Sequence, residues 1–83
     1  MSYDLIYTRR AARDIARLNH ETQLRIKGKL EQYRLAPFQH AEKLVTSELG
    51  SYRFRVGDYR VIFDIQDNSL IVLRVGHRRE IYR

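Results

Sequence analysis

Apolar and charged positions alternate most regularly in YRFRVGDYR, residues 52–60, where Tyr52, Phe54 and Val56 point one way and Arg53 and Arg55 the other. Gly57-Asp58 is a two-residue connection, and glycine at its first position suits a type II′ hairpin turn, which needs φ > 0 there. That turn sets Val56 opposite Tyr59 and Arg55 opposite Arg60. Like charges facing across a ladder are unfavourable by up to about 1 kcal/mol, so the pattern predicts that something outside the chain relieves them. The strands span about 51–56, 59–65 and 70–75, the last two joined by QDNS. SLIVLRV is apolar on both faces and reads as a central strand. The length of its turn leaves its register open, so Arg74 is not assigned to a face.

Ahead of these strands the period changes. SYDLIYT reads as a first strand, with Tyr3, Leu5 and Tyr7 on one face and Ile6 on the other. Thr8 suits the cap of a helix over RRAARDIARLN, whose apolar stripe is Ala11, Ile15 and Leu18. A break at Asn19-His20 precedes a second helix over ETQLRIKGKLEQYRL, with Ile26, Leu30 and Tyr33 at i, i+4 and i+7. Gly28 costs that helix about 1 kcal/mol relative to alanine, and Pro37 ends it. PFQHAEKLVTSELG, residues 37–50, has no sustained period and reads as a connecting loop with short local order. The order β-α-α-β-β-β predicts one α+β domain over residues 1–83, a two-helix hairpin on one face of a twisted, mainly antiparallel four-stranded sheet. The helices need the Tyr52/Phe54/Val56 and Tyr59/Val61/Phe63 face, which leaves Arg53, Arg55 and Arg60 on an uncovered one.

Composition sharpens this picture. The 83 residues carry sixteen basic against ten acidic side chains, a formal net charge of +6, and such a balance favours a polyanionic partner. Lys27, Lys29 and Lys43 are the three lysines, whereas every basic residue from 51 onward is arginine, the side chain suited to bidentate phosphate contacts. With no cysteine there is no disulfide or thiolate metal site, which suits a reducing cytoplasm. His20 and His40 lack metal-ligand spacing with each other or with His77. No apolar run approaches membrane-spanning length, and the N-terminus lacks a signal peptide's pattern. These features predict a cytoplasmic protein without membrane, small-molecule or cofactor partners.

YRFRVGDYRVIFDI, followed after a short turn by LIVLRVGHRREIY, resembles the RelE/ParE superfamily of bacterial and archaeal toxins. The helical hairpin and EKL at 42–44 fit the same pattern, so the resemblance spans essentially the whole chain. The ending VGHRREIY is closer to the RelE branch, whose members cut messenger RNA, usually in the ribosomal decoding site. The ParE branch shares the fold and poisons DNA gyrase. The resemblance therefore implies a toxin of a type II toxin–antitoxin system, a metal-independent mRNA endonuclease with a cognate antitoxin, the ribosome and mRNA as partners. A gyrase inhibitor and a non-catalytic RNA-binding module are the alternatives.

By the same resemblance, Arg60 and Arg78 match the family's two arginines, for transition-state charge and leaving-group stabilisation. Tyr82 matches its near-terminal tyrosine, for stacking or for orienting the 2′-hydroxyl. Arg53 and Arg55 stand where the best-known pattern has lysines. Arginine does not serve as an ordinary general base, so these two are expected to clamp phosphate and the proton acceptor lies elsewhere. Other members use a glutamate and a histidine; here His77 and Tyr82 rank ahead of Glu42. Arg74 and Arg79 are expected to contact RNA generally. Taken singly, each of these residues has a plainer reading, as surface charge, surface histidine or packing aromatic, and it is their grouping that favours chemistry.

Overall fold

The computed structural model describes residues 2–44 and 49–81. The elements run β1 (Asp4–Tyr7), α1 (Arg9–Ala16), α2 (His20–Tyr33), a 3₁₀ turn (Pro37–Gln39), β2 (Glu42–Lys43), β3 (Tyr52–Val56), β4 (Tyr59–Gln66) and β5 (Ser69–His77). The strands form one five-stranded sheet in the order β1-β5-β4-β3-β2. β1 and β5 pair parallel, and the pairs β5–β4, β4–β3 and β3–β2 are antiparallel. The expected α+β layering holds, but the strand count does not. Glu42 and Lys43, expected in a loop, pair with Arg53 and Tyr52 as a fifth, edge strand. Two residues are too few for an alternation to register in sequence.

Helix ends follow local chemistry. Thr8 Oγ1 accepts from the Ala11 N–H at 3.1 Å, the predicted cap. Asn19 Oδ1 accepts from the Thr22 N–H at 2.8 Å, so Asn19 starts α2 rather than closing α1, and α1 is three residues shorter than its periodicity. At the far end of α2, the Leu35 and Ala36 N–H groups bond to the carbonyls of Gln32 and Tyr33, tightening the last turn ahead of Pro37.

The predicted core forms. Ala11, Ile15, Ile26 and Leu30 from the helices are buried with Phe54, Val56, Val61, Phe63, Leu70, Val72 and Val75 from the sheet. Phe54 and Phe63, neighbours on β3 and β4, stack with centroids 4.2 Å apart. Full burial of such a ring contributes about 1.5–3 kcal/mol. β5 lies inside the sheet, as its two apolar faces required.

The opposite face is not wholly uncovered. A Cβ placed on Gly50 would stand 2.7 Å from Ile62 Cγ2 and 2.8 Å from Leu73 Cδ1, so glycine lets residues 49–51 press onto this face. The Ser51 N–H donates to Asp64 Oδ1 at 2.7 Å, and Ile62 is fully buried. At the other end the chain turns back after β5, and Ile81 is buried against Gly76. The arginines occupy what lies between.

One strand edge needed a special solution. β1 stops at Tyr7, opposite Val72, which leaves the rest of β5 without a neighbour on that side. Thr8 Oγ1 shares its proton with the carbonyls of Val72 at 3.0 Å and Leu73 at 3.3 Å. The Asp14 carboxylate of α1 accepts from the Val75 N–H at 3.0 Å. A register shift between Ile62 and Phe63 marks a bulge that places Leu73 and Arg74 out of simple alternation. Among the described residues no helix is long and apolar enough to cross a membrane.

Candidate nucleic-acid interface

The β3–β4 hairpin builds the site. Gly57 takes φ 61° and Asp58 stays at negative φ, as a type II′ turn requires. The register is the predicted one, Val56 opposite Tyr59 and Arg55 opposite Arg60. Alternation then carries Arg53, Arg55 and Arg60 to the face away from the helices.

The Arg55–Arg60 opposition is relieved within the chain, which corrects the expectation of an external anion. Glu42 on β2 reaches both neighbouring guanidiniums: Arg55 Nε lies 2.7 Å from Oε1 and Arg53 Nη2 lies 3.2 Å from Oε2. Glu42 is cross-strand from Arg53, so a two-residue edge strand is enough to deliver one carboxylate between two arginines. Arg60 turns the other way. Its Nη1 donates to the carbonyls of Gly57 at 2.9 Å and Tyr59 at 3.1 Å, and only 8% of the residue is exposed. A guanidinium fixed in this manner meets an incoming anion with little rotamer freedom left to lose.

Arg78 joins this group from the segment after β5. Its N–H donates to the Asp58 carbonyl at 2.8 Å, and its Nε stands 3.8 Å from Asp58 Oδ1 with half of the side chain exposed. Arg60 and Arg78 thus meet at the same two-residue turn, although 18 positions separate them in the chain.

Other expected residues fall elsewhere. His77 pairs with Tyr59, and parity puts both on the helix-facing side of the sheet. The two rings meet edge to face at 5.6 Å. His77 Nδ1 accepts from the Arg79 N–H at 3.2 Å. This imidazole therefore lines a separate pocket of about 340 Å³ with Asp14, Arg17, Arg74 and Glu80. Arg74, expected among the RNA-contacting arginines, is also outside the arginine face: the bulge directs it to α1, where its Nε donates to Asp14 Oδ2 at 2.9 Å. Arg79 is exposed beside it in sequence. Tyr82 lies outside the described residues. Among the described residues no three His, Asp or Glu side chains gather closely enough to hold a metal ion.

Two features had no sequence signal. The Glu42 bridge depends on an edge strand too short to show a pattern. Arg25 of α2 lies over the hairpin turn, so close that a Cβ on Gly57 would stand 2.6 Å from its Nη2. That contact joins distant parts of the chain and leaves no periodic trace.

Comparison with known proteins agrees with this fold. The family model described as ParE toxin of type II toxin–antitoxin system, parDE, matches residues 5–82. Toxin RelG of Mycobacterium tuberculosis is 29% identical over 90 residues, an alignment covering 100% of this chain and 99% of that protein. The M. tuberculosis toxin–antitoxin complex RelBE2 contains a chain that superposes with a TM-score of 0.85 at 25% identity, covering 94% of this chain and 100% of that one. An archaeal RelE–RelB complex from Pyrococcus horikoshii OT3 shares the fold, with a TM-score of 0.76 at 22% identity over 96% of this chain and 99% of its counterpart.

Proposed function

Since the chain belongs to the ParE toxin family of type II toxin–antitoxin systems, within the RelE/ParE superfamily, we propose that it is the RNA-cleaving kind of toxin, an endonuclease acting on mRNA at the ribosome. The observation that carries this reading is the meeting of Arg60 and Arg78 at the Gly57-Asp58 turn, next to Arg53 and Arg55 on the same sheet face. A binding module needs exposed positive charge. A nuclease also needs cations fixed where charge develops in the transition state, and Arg60 is fixed by two carbonyls.

The chemistry is transesterification followed by release. The 2′-oxygen of the nucleotide before the scissile bond loses its proton and attacks phosphorus, and the P–O5′ bond breaks. The products are a 2′,3′-cyclic phosphate and a 5′-hydroxyl, whose oxygen takes up a proton. Arg60 and Arg78 would stabilise the phosphorane-like charge and the leaving oxygen, and Arg53 and Arg55 would clamp the phosphate. Arginine does not take the proton. The arrangement supports Glu42 in that role better than His77, because Glu42 stands on the arginine face and His77 on the other. Once phosphate takes over Arg53 and Arg55, the displaced carboxylate remains beside the substrate. Tyr82 would stack on a base or orient the 2′-hydroxyl. A small antitoxin protein covering the arginine face or the helical hairpin would hold the toxin inactive, as in the RelBE complexes that its relatives form.

The second reading, which the resemblance to the ParE branch implies, is a gyrase poison with no active site of its own. Purified protein added to ribosomes programmed with a defined mRNA separates the two. Cuts in the decoding site bearing 5′-hydroxyl ends, lost in Arg78→Ala and slowed in Tyr82→Phe, are the expected result. Intact mRNA from a wild type that still arrests growth and inhibits gyrase supercoiling would overturn the nuclease reading.

A further inference from the structure

Three guanidiniums from three separate elements converge on the hairpin tip. Arg60 of β4 donates to the Gly57 carbonyl. The backbone N–H of Arg78 donates to the Asp58 carbonyl, and its guanidinium Nε stands 3.8 Å from the Asp58 carboxylate. Arg25 of α2 covers Gly57 from the helix side, with a Cβ built on that glycine falling 2.6 Å from Nη2 and 3.0 Å from both Cζ and Nη1. The Nη end of the guanidinium therefore lies against the turn. Asp58 is the one carboxylate at this turn in contact with any of the three, and among the described residues none pairs with Arg25.

A guanidinium with five N–H donors and no paired carboxylate keeps donors available for contact with a phosphate. Arg25 is exposed, so those donors are open to a ligand. Its position continues the arginine face around the tip of the hairpin onto α2. We propose that Arg25 is an RNA-binding residue, holding a backbone phosphate that flanks the one bound at Arg60 and Arg78. RNA would then leave the sheet face over the turn and continue along α2. This inference rests on the RNA-directed reading given above and adds to it the path of the strand. Gly57 serves both ends, since its missing side chain permits the positive φ and the approach of Arg25.

The competing role for Arg25 is a strut that packs α2 on the hairpin without touching RNA. Arg25→Met keeps an unbranched stem and removes the charge, whereas Arg25→Lys keeps the charge. Binding of a labelled single-stranded RNA, with 2′-deoxy substitution to prevent cleavage, is measured by fluorescence anisotropy over a series of salt concentrations, with melting temperatures alongside. The expected result is that Arg25→Met binds roughly three- to ten-fold more weakly at low salt, with the slope of log K against log salt reduced by about 0.7, the value for one phosphate on a single strand. Arg25→Lys restores the slope. Wild-type slope and affinity in Arg25→Met would overturn the proposal. So would a lower melting temperature with a loss of affinity that Arg25→Lys leaves unrepaired in slope, which identifies a strut. A wild type that binds no RNA, or one that binds beside an indifferent Arg25→Met, removes this inference alone, because the nuclease reading stands or falls on the programmed-ribosome assay.

Discussion

Asp14 joins α1 to the free edge of β5. It accepts from Arg74 Nε at 2.9 Å and from the Val75 N–H at 3.0 Å, with only 11% of its side chain exposed and 21% of Arg74's. Asp14→Ala leaves a mostly buried guanidinium without its counter-charge and a strand N–H without its acceptor. Leaving a buried donor unpaired costs about 1–3 kcal/mol, and breaking a buried pair by removing one partner costs about 3–5 kcal/mol. Since Arg74 retains some access to water, the value expected is where the two ranges meet, about 3 kcal/mol. At about 4–8 °C of melting temperature per kcal/mol for a domain of this size, the drop is about 12–24 °C. Asp14→Asn retains an acceptor for Val75 and loses the charge, so about half of the effect should remain. Urea unfolding followed by circular dichroism, with unchanged m-values, reads both variants. A loss below about 0.5 kcal/mol in Asp14→Ala would refute the view that this carboxylate closes the free edge of β5. Arg74→Met should likewise lower stability, while changing RNA affinity far less than Arg53→Met does.

Other expectations follow from the same geometry. Glu42→Gln removes the internal anion held by Arg53 and Arg55, so binding of uncleavable single-stranded RNA should tighten by roughly five-fold with a steeper salt slope, while cleavage on ribosomes slows; unchanged affinity would show that Glu42 does not compete with phosphate. Gly57→Ala forces an L-residue to φ 61° and a Cβ into Arg25, which should cost about 1–3 kcal/mol in chemical denaturation. The Tyr7 phenol is raised above 10.0, chiefly by burial and also by the Glu31 charge, against a lowering from Arg34. Its neutral form is thus favoured by folding, a contribution complete below pH 10 and lost as pH rises through the raised value; Tyr7→Phe should flatten that alkaline decline in stability, and an equally steep decline would count against it.

Much of the arginine face was readable because β alternation has period two and the turn residues fix register. Once Gly57-Asp58 set Val56 against Tyr59, the pairing of Arg55 with Arg60 and the burial of Phe54, Val61 and Phe63 followed without further information. His77 and Arg74 were less legible. Each belongs to β5, whose register depends on the Asp67-Asn68 turn and on a bulge, and a one-residue change moves a side chain to the other face. Asp67 adopts φ 53°, a conformation that its sequence permits without demanding.

By itself, then, the sequence determined the two helices and the four longer strands in their order, the helix cap at Thr8, the hairpin and the two apolar stripes, because each depends on neighbours within a turn or a strand of chain. It also carried the family resemblance and the excess of positive charge. Only the tertiary structure decided that Glu42 lies between Arg53 and Arg55, that Arg60 and Arg78 share a turn with Arg25, and that Asp14 takes Arg74 away from the arginine face. Those contacts join residues distant in sequence, and their energies come from burial and from charges brought within hydrogen-bond reach. Neither exists until the sheet has closed over its helices.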